Sequence, residues 1–260
     1  MQRVTNSHDN LGMLARHSKC IFSFNSSLRR SSSRSEEFHV KQKILNAALD
    51  HVKDHGWTKK SLELGAQSCD ISDASLSMFP LGGADLALHY DHNCNQKLQD
   101  IMKEQNETRE EQGEVRLPVK EFLKNIIKLR LIIQFEQEGL RQSEALALYT
   151  DPKVAPSAGK SLACLVDDIW FNAGDTSTNF SWYTKRGILA GVYGSTQLFM
   201  LQDKSEGWEN TWDFLDRRLD DVEKLKHDRD AVEAQLASVK DITKSGFMVA
   251  RNMLGGKSWK

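Results

Sequence analysis

From residue 38 to residue 253 the apolar side chains recur three and four positions apart, the interval that lines up one face of an α-helix. Only four prolines and sixteen glycines interrupt the 260 residues, too few for the many turns of an all-β chain. The chain is therefore all-α. At 39% hydrophobic residues it can bury a core without disulfides or metals, and 27% charged residues exclude wholesale disorder. No apolar run reaches the roughly eighteen residues that a membrane-spanning helix needs.

The helical pattern begins at residue 36. Residues 36–54 place Val40, Ile44, Leu45, Ala48, Leu49 and Val52 on one face, and Gly56 stops the helix. Thr58 and Ser72 can cap two short helices, the second running to Phe79 before Pro80-Leu81-Gly82-Gly83. A long helix is expected over 84–111, then helices over 119–135, 140–149, 160–173, 181–203 and 208–225, with a loop at 154–159. The 181–203 segment is apolar almost all round, the mark of a core or interface helix. The organisation expected is a leader over 1–35, a helix-turn-helix-like part over 36–90, a helical ligand-binding domain over 91–227 and a tail over 228–260.

The formal charge of −1 averages two unlike parts. Residues 1–35 carry six basic residues, one acid and nine serines, a net +5, and the remainder is −6. Basic, serine-rich and acid-poor is the composition of a mitochondrial or plastid transit peptide; a disordered tail without an address is the alternative. Cys20, Cys69, Cys94 and Cys164 form no C-x-x-C pair and read as incidental thiols in a reducing compartment.

The stretch 71–90 resembles the helix-turn-helix of TetR-family repressors, in which an aromatic closes the recognition helix and a short loop leads into a long helix. The charges oppose DNA binding. Residues 36–90 hold five lysines against eight acids, and 72–79 contain no Lys or Arg but do contain Asp73. Phosphate neutralisation and guanine reading both lack their usual tools, so no nucleic-acid partner is expected.

Catalytic patterns are equally thin. His51 and His55 lack a third ligand, and His89, Asp91, His92 and Cys94 do not share one helix face, so no metal is expected. Glu36–His39 is a lone Glu-x-x-His where a di-iron bundle needs a pair. No P-loop, G-x-S-x-G or dinucleotide fingerprint occurs. The chain reads as a binding protein, not an enzyme.

The most unusual stretch is 165–191, LVDDIWFNAGDTSTNFSWYTKRGILAG, which sets Trp170, Trp182, Tyr183, Lys185 and Arg186 around an acidic turn. Such residues are enriched in interface hot spots; core packing around a helix–helix turn is the alternative. This segment, with Gly56-Trp57, Gly65-Ala66-Gln67-Ser68, Ser77-Met78-Phe79 and Thr211-Trp212-Asp213-Phe214-Leu215, resembles the COQ9 family of mitochondrial ubiquinone-biosynthesis proteins from about residue 40 onward. Asn179 stands where that family would have an acid, and Gly82-Gly83 replaces a more charged loop.

The resemblance implies a TetR-like all-α homodimer that has lost DNA binding. It further implies a protein that needs no cofactor but holds isoprenoid quinone intermediates or phospholipid in its second domain. The implied location is the matrix side of the mitochondrial inner membrane, as a peripheral protein. The implied partner is the di-iron demethoxyubiquinone hydroxylase within the ubiquinone-biosynthesis complex, met through Asp167, Ile169, Trp182 and Tyr183, with Arg186 nearby. A lipid tail would lie between the apolar faces of 119–135 and 181–201. In the tail helix, Val232, Leu236, Val239 and Phe247 form an apolar stripe beside Lys240, Lys244 and Arg251, which suits an anionic membrane interface. Packing of that helix on its own domain is the alternative. A TetR-type ligand-responsive regulator and an enzyme with an unrecognised site are the rival functions.

Overall fold

The computed structural model describes residues 32–135, 140–175 and 180–224. The transit-peptide reading of 1–31 and the membrane-helix reading of 228–260, with Val232, Leu236, Val239, Lys240, Lys244, Phe247 and Arg251, fall outside the described residues. Among the described residues every regular element is helical, and no helix is long and apolar enough to cross a membrane. The chain divides into two compact units, Met1–Asp203 and Lys204–Lys260.

The first unit opens with α1 (Ser32–Leu49), α2 (Val52–His55) and α3 (Lys59–Ser68), so helix begins four residues inside the expected leader. Ile44, Leu45 and Ala48 of α1 are buried with Val52, Trp57, Leu62 and Ala66. Gly65 permits this packing: a Cβ there would sit 2.7 Å from the Ala48 backbone, a separation side-chain carbons do not adopt. Trp57 ties the group to later helices. Its indole N–H donates to the Arg141 carbonyl at 2.9 Å, and its ring lies 5.7 Å from that of Tyr90.

The segment expected to be a helix over 72–79 is instead a 3₁₀-helix, Asp73–Met78. Its hydroxyls engage the local backbone: the Ser72 hydroxyl accepts from the Ala74 N–H, and Ser77 donates to the Ala74 carbonyl. Such bonds compete with an α-helical ladder, and Pro80 stops it from lengthening. Phe79 is buried at its end, with the Lys41 ammonium 5.2 Å from the ring.

The long helix α4 (Gly83–Gln112) follows, then α5 (Val119–Phe135), α6 (Gln142–Leu148), α7 (Ala155–Asn172) and α8 (Phe180–Met200). Helix α7 includes residues 155–159, which the sequence marked as loop; Pro156 stands in its first turn, where a missing N–H costs nothing. Helix α4 is the spine. It packs against α1, α3, α5, α6 and α7, and α7 packs against α8.

Helix α8 is buried on one side through Leu189, Val192, Tyr193, Thr196 and Met200. On the other side Tyr183, Ile188 and Leu198 are exposed, and a Cβ at Gly187, Gly191 or Gly194 would meet nothing within 4 Å. The apolar character all round the helix thus covers a core face and an open face. In the second unit a 3₁₀-helix, Glu206–Trp208, leads into α9 at 209–224. Thr211, Leu215 and Leu219, four apart, form its buried side.

Candidate functional site

Two constellations stand out in the first unit. One is at the surface around the turn that joins α7 to α8. Arg186, in the second turn of α8, is itself buried. Its guanidinium donates to Asp167 of α7 at 2.6 Å and to Asp175 at 3.1 Å. Lys185 reaches the other oxygen of Asp175 at 2.6 Å, and the Trp170 indole N–H donates to the Lys185 carbonyl at 3.1 Å. The Arg186 guanidinium also lies 4.1 Å from the centre of the Trp182 ring, a close cation–π contact. Trp182 in turn meets Tyr183 edge to face at 4.7 Å.

The outcome is a rigid aromatic platform. Tyr183 remains 70% exposed beside Trp182, and the Arg186 guanidinium against Trp182 is fixed by charge-assisted bonds to Asp167 and Asp175. A large aromatic held in one orientation loses little entropy on meeting a partner. Asp167, Trp182, Tyr183 and Arg186 are therefore brought together. Ile169 is not: it is 0% exposed and belongs to the core below. The reason is helical geometry, since residues two apart point to opposite sides of a helix. With Asp167 facing Arg186, Ile169 faces inward beside Leu165 and Val166.

The second constellation is internal. Arg130 of α5 is 0% exposed, and each edge of its guanidinium is used. It donates to the Asp91 carboxylate at 2.6 Å, to Asn95 at 2.7 Å and to Gln134 at 3.0 Å. Ser161 of α7 donates to the second Asp91 oxygen at 2.5 Å. From α8, the Tyr193 hydroxyl and the Gln197 amide both donate to Gln134, and Gln142 of α6 donates to the Gln134 carbonyl at 2.9 Å. Burial pushes the Tyr193 phenol well above its usual range, so it acts as a neutral donor.

The sequence reading missed this cluster. It took α5 and α8 as two apolar faces, whereas at Arg130, Gln134, Tyr193 and Gln197 they meet through polar groups. The available signal was Arg130 and Gln134, four apart on the apolar face of an amphipathic helix. The cluster is satisfied within itself, so an apolar ligand entering there would strand a buried charge.

A polar ladder also joins α4 to α7. Gln99 donates to Asp168, Asn106 donates to Asn172 at 2.7 Å, and Arg109 bonds Asn106. Burial raises the Asp168 carboxyl to about 6; the neighbouring Asp167 charge adds to this and the Gln99 bond opposes it. Of the histidines, burial lowers His89 to about 4, helped by His92 and Lys41, and its Nε2 lies 2.7 Å from Asn46. Among the described residues no group of three or more His, Cys, Asp or Glu is arranged to hold a metal.

Comparison with known proteins decides the family. The COQ9 family model matches residues 155–226, and the model for the N-terminal domain of ubiquinone biosynthesis protein COQ9 matches 37–67. Mitochondrial ubiquinone biosynthesis protein COQ9 of Rattus norvegicus is 35% identical over 84% of this chain and 67% of its own length. The chain belongs to the COQ9 family. The Xenopus tropicalis protein of the same name is 35% identical over 86% of this chain and 68% of its own length. The COQ9 match at 155–226 contains the whole aromatic platform, and the N-terminal match contains Trp57 and Gly65. A crystal structure of a TetR transcriptional regulator from Nitrosomonas europaea is similar with a TM-score of 0.51. It covers 68% of this chain and 94% of the regulator at 14% identity, which shows the TetR-like all-α fold of this COQ9-family chain and nothing of its activity.

Proposed function

We propose that this chain is a lipid-binding accessory protein of mitochondrial ubiquinone biosynthesis. It presents isoprenoid quinone intermediates to the di-iron demethoxyubiquinone hydroxylase, as a homodimer on the matrix side of the inner membrane. The observation that carries this reading is the exposed Tyr183, set edge to face against a Trp182 that Arg186 braces, inside the segment that matches the COQ9 family. Such a platform is suited to seat another protein. The chain's own role is then to dock and deliver, not to catalyse.

Delivery is a physical necessity for this substrate class. A polyprenyl tail is nearly insoluble, and each methylene buried contributes about 0.8 kcal/mol. The tail lies among apolar side chains away from the Arg130 cluster, where it would break satisfied bonds. The rival, a DNA-binding regulator, shares only the fold; its recognition segment is a 3₁₀-helix without a basic residue.

Mass spectrometry of organic extracts from protein purified out of its native membrane tests lipid binding; quinone or phospholipid is expected, and an extract free of both would overturn it. Tyr183→Ala should weaken capture of the hydroxylase by about 2 kcal/mol, roughly 30-fold in Kd, with the helical circular-dichroism signal intact. Unchanged capture would remove the platform as the docking site.

A further inference from the structure

The loop between α4 and α5, with the first residue of α5, exposes three aliphatic side chains close together in sequence. Val115 is 90% exposed, Leu117 51% and Val119 46%. Water contact at three aliphatic side chains within five residues is unfavourable, and such a patch marks a contact site more often than a scattered exposed residue does. The loop is also held in shape. Gly113 adopts a left-handed conformation and its N–H bonds back to Arg109 and Glu110, so the chain leaves α4 at a fixed angle. Pro118 restricts its far end.

Its position is what gives it meaning. The Arg116 guanidinium packs directly on Gly174, in the turn between α7 and α8. The next residue, Asp175, is the carboxylate that anchors both Lys185 and Arg186 beneath the aromatic platform. The Asn106–Asn172 bond ties the end of α4 to the end of α7 at the same place. Loop and platform are thus neighbours at one end of the helices, linked through Arg116, Gly174 and Asp175.

The surrounding charge selects the occupant. Glu110, Glu111, Glu114 and Glu121 are all exposed around the loop, against Arg109, Arg116 and Lys120, while Glu107 further back on α4 pairs with Lys103 at 3.8 Å. An anionic bilayer would be repelled by this acidic collar. A protein surface with an apolar centre and a basic rim would be attracted.

We propose that the Val115–Leu117–Val119 loop is a second seat of the platform's docking surface and takes a partner protein whose apolar centre is rimmed by basic side chains. This rests on the docking reading given above. It makes the surface bipartite: an aromatic seat on α8, and an aliphatic seat that Arg116 holds in register with it.

The full chain is tested with two probes, the hydroxylase immobilised for capture and phosphatidylcholine–phosphatidylserine vesicles for flotation. V115D/L117D, and the milder V115S/L117S, should each weaken capture about tenfold, with vesicle binding unchanged. Reversing the collar in E110K/E111K should slow association several-fold at low salt; unchanged association would overturn the basic rim. If Tyr183→Ala weakens capture and the loop variants do not, the second seat is wrong and the platform stands. If neither weakens capture, the docking reading falls and takes the loop with it. If the loop variants lose vesicle binding yet keep full capture, the loop touches membrane and the proposal is overturned.

Discussion

Asp168 and Asp167 are neighbours in sequence with opposite surroundings. Asp167 faces Arg186, while Asp168 is buried with the Gln99 amide against its carboxylate. Burial raises Asp168 to about 6 from an ordinary value of 3.8. A raised carboxyl makes the folded state bind its proton more tightly, so this contribution to stability is complete below about pH 4 and is lost as pH climbs through 6. Asp168→Asn keeps an acceptor for Gln99 but cannot ionise. Its thermal stability should match that of the parent near pH 4 and exceed it by about 1–3 kcal/mol at pH 7. Parallel pH titrations of Tm check this; a constant difference across that range would show that Asp168 does not titrate there. His89 works in the other direction. Its value, lowered to about 4, gives stability that is lost as pH falls from about 6.5 towards 4. The Asp167–Asp168 pair also shows what sequence could and could not reveal about the site. Tyr183, Trp182 and Arg186 declare themselves by residue type. Whether Asp167 or Asp168 turns outward, and that Ile169 turns inward, depends on the rotational phase of α7, which only its neighbours set.

Among elements, helical spacing made α5 legible to the residue and α4 and α8 nearly so. The single helix expected over 36–54 breaks at Asp50-His51, and two further misreadings lie where short polar residues dominate. Residues 155–159 carry Pro, Ser and Gly and yet start a helix, while 73–78 carry hydroxyls that tighten the turn to 3₁₀. In the first, the local preferences are weak and packing settles the outcome; in the second, the local hydroxyl bonds do. Glycines follow a different logic in different helices. In α3, Gly65 is required by the approach of Ala48. In α8, Gly187 and Gly191 face open space and so cost helix stability without relieving any clash within the chain. Gly187→Ala and Gly191→Ala should each raise stability by about 0.5–1 kcal/mol, while Gly65→Ala should lower it by about 1–3 kcal/mol as the helices part. Chemical denaturation of the three variants separates the two cases by sign. A loss at Gly187 or Gly191 would mean that the open face is covered in solution.

For the molecule as a whole, the Arg130 cluster decides how far the first unit acts as one body. Asp91 and Asn95 come from α4, Arg130 and Gln134 from α5, Gln142 from α6, Ser161 from α7, and Tyr193 and Gln197 from α8. Removing the charge at its centre leaves the partly buried Asp91 without its counter-ion. Arg130→Met should therefore destabilise the protein by about 3–5 kcal/mol, whereas Arg130→Met with Asp91→Leu should recover much of that loss. Urea unfolding of the single and double variants provides the check, and equal losses in both would show that the pair is not energetically coupled. The sequence announced the helices around this cluster but not the cluster, because patterning records which residues avoid water and not which polar groups find one another. There is a consequence for descent. Eight side chains from five helices that satisfy one another cannot drift singly: a lineage that loses Arg130 must shed the Asp91 charge nearly in step or pass through a poorly folded ancestor. Exchange of α5 or α8 alone between distant relatives should fail where exchange of the five helices together succeeds, which makes α4–α8 the smallest piece around this cluster that can be inherited intact.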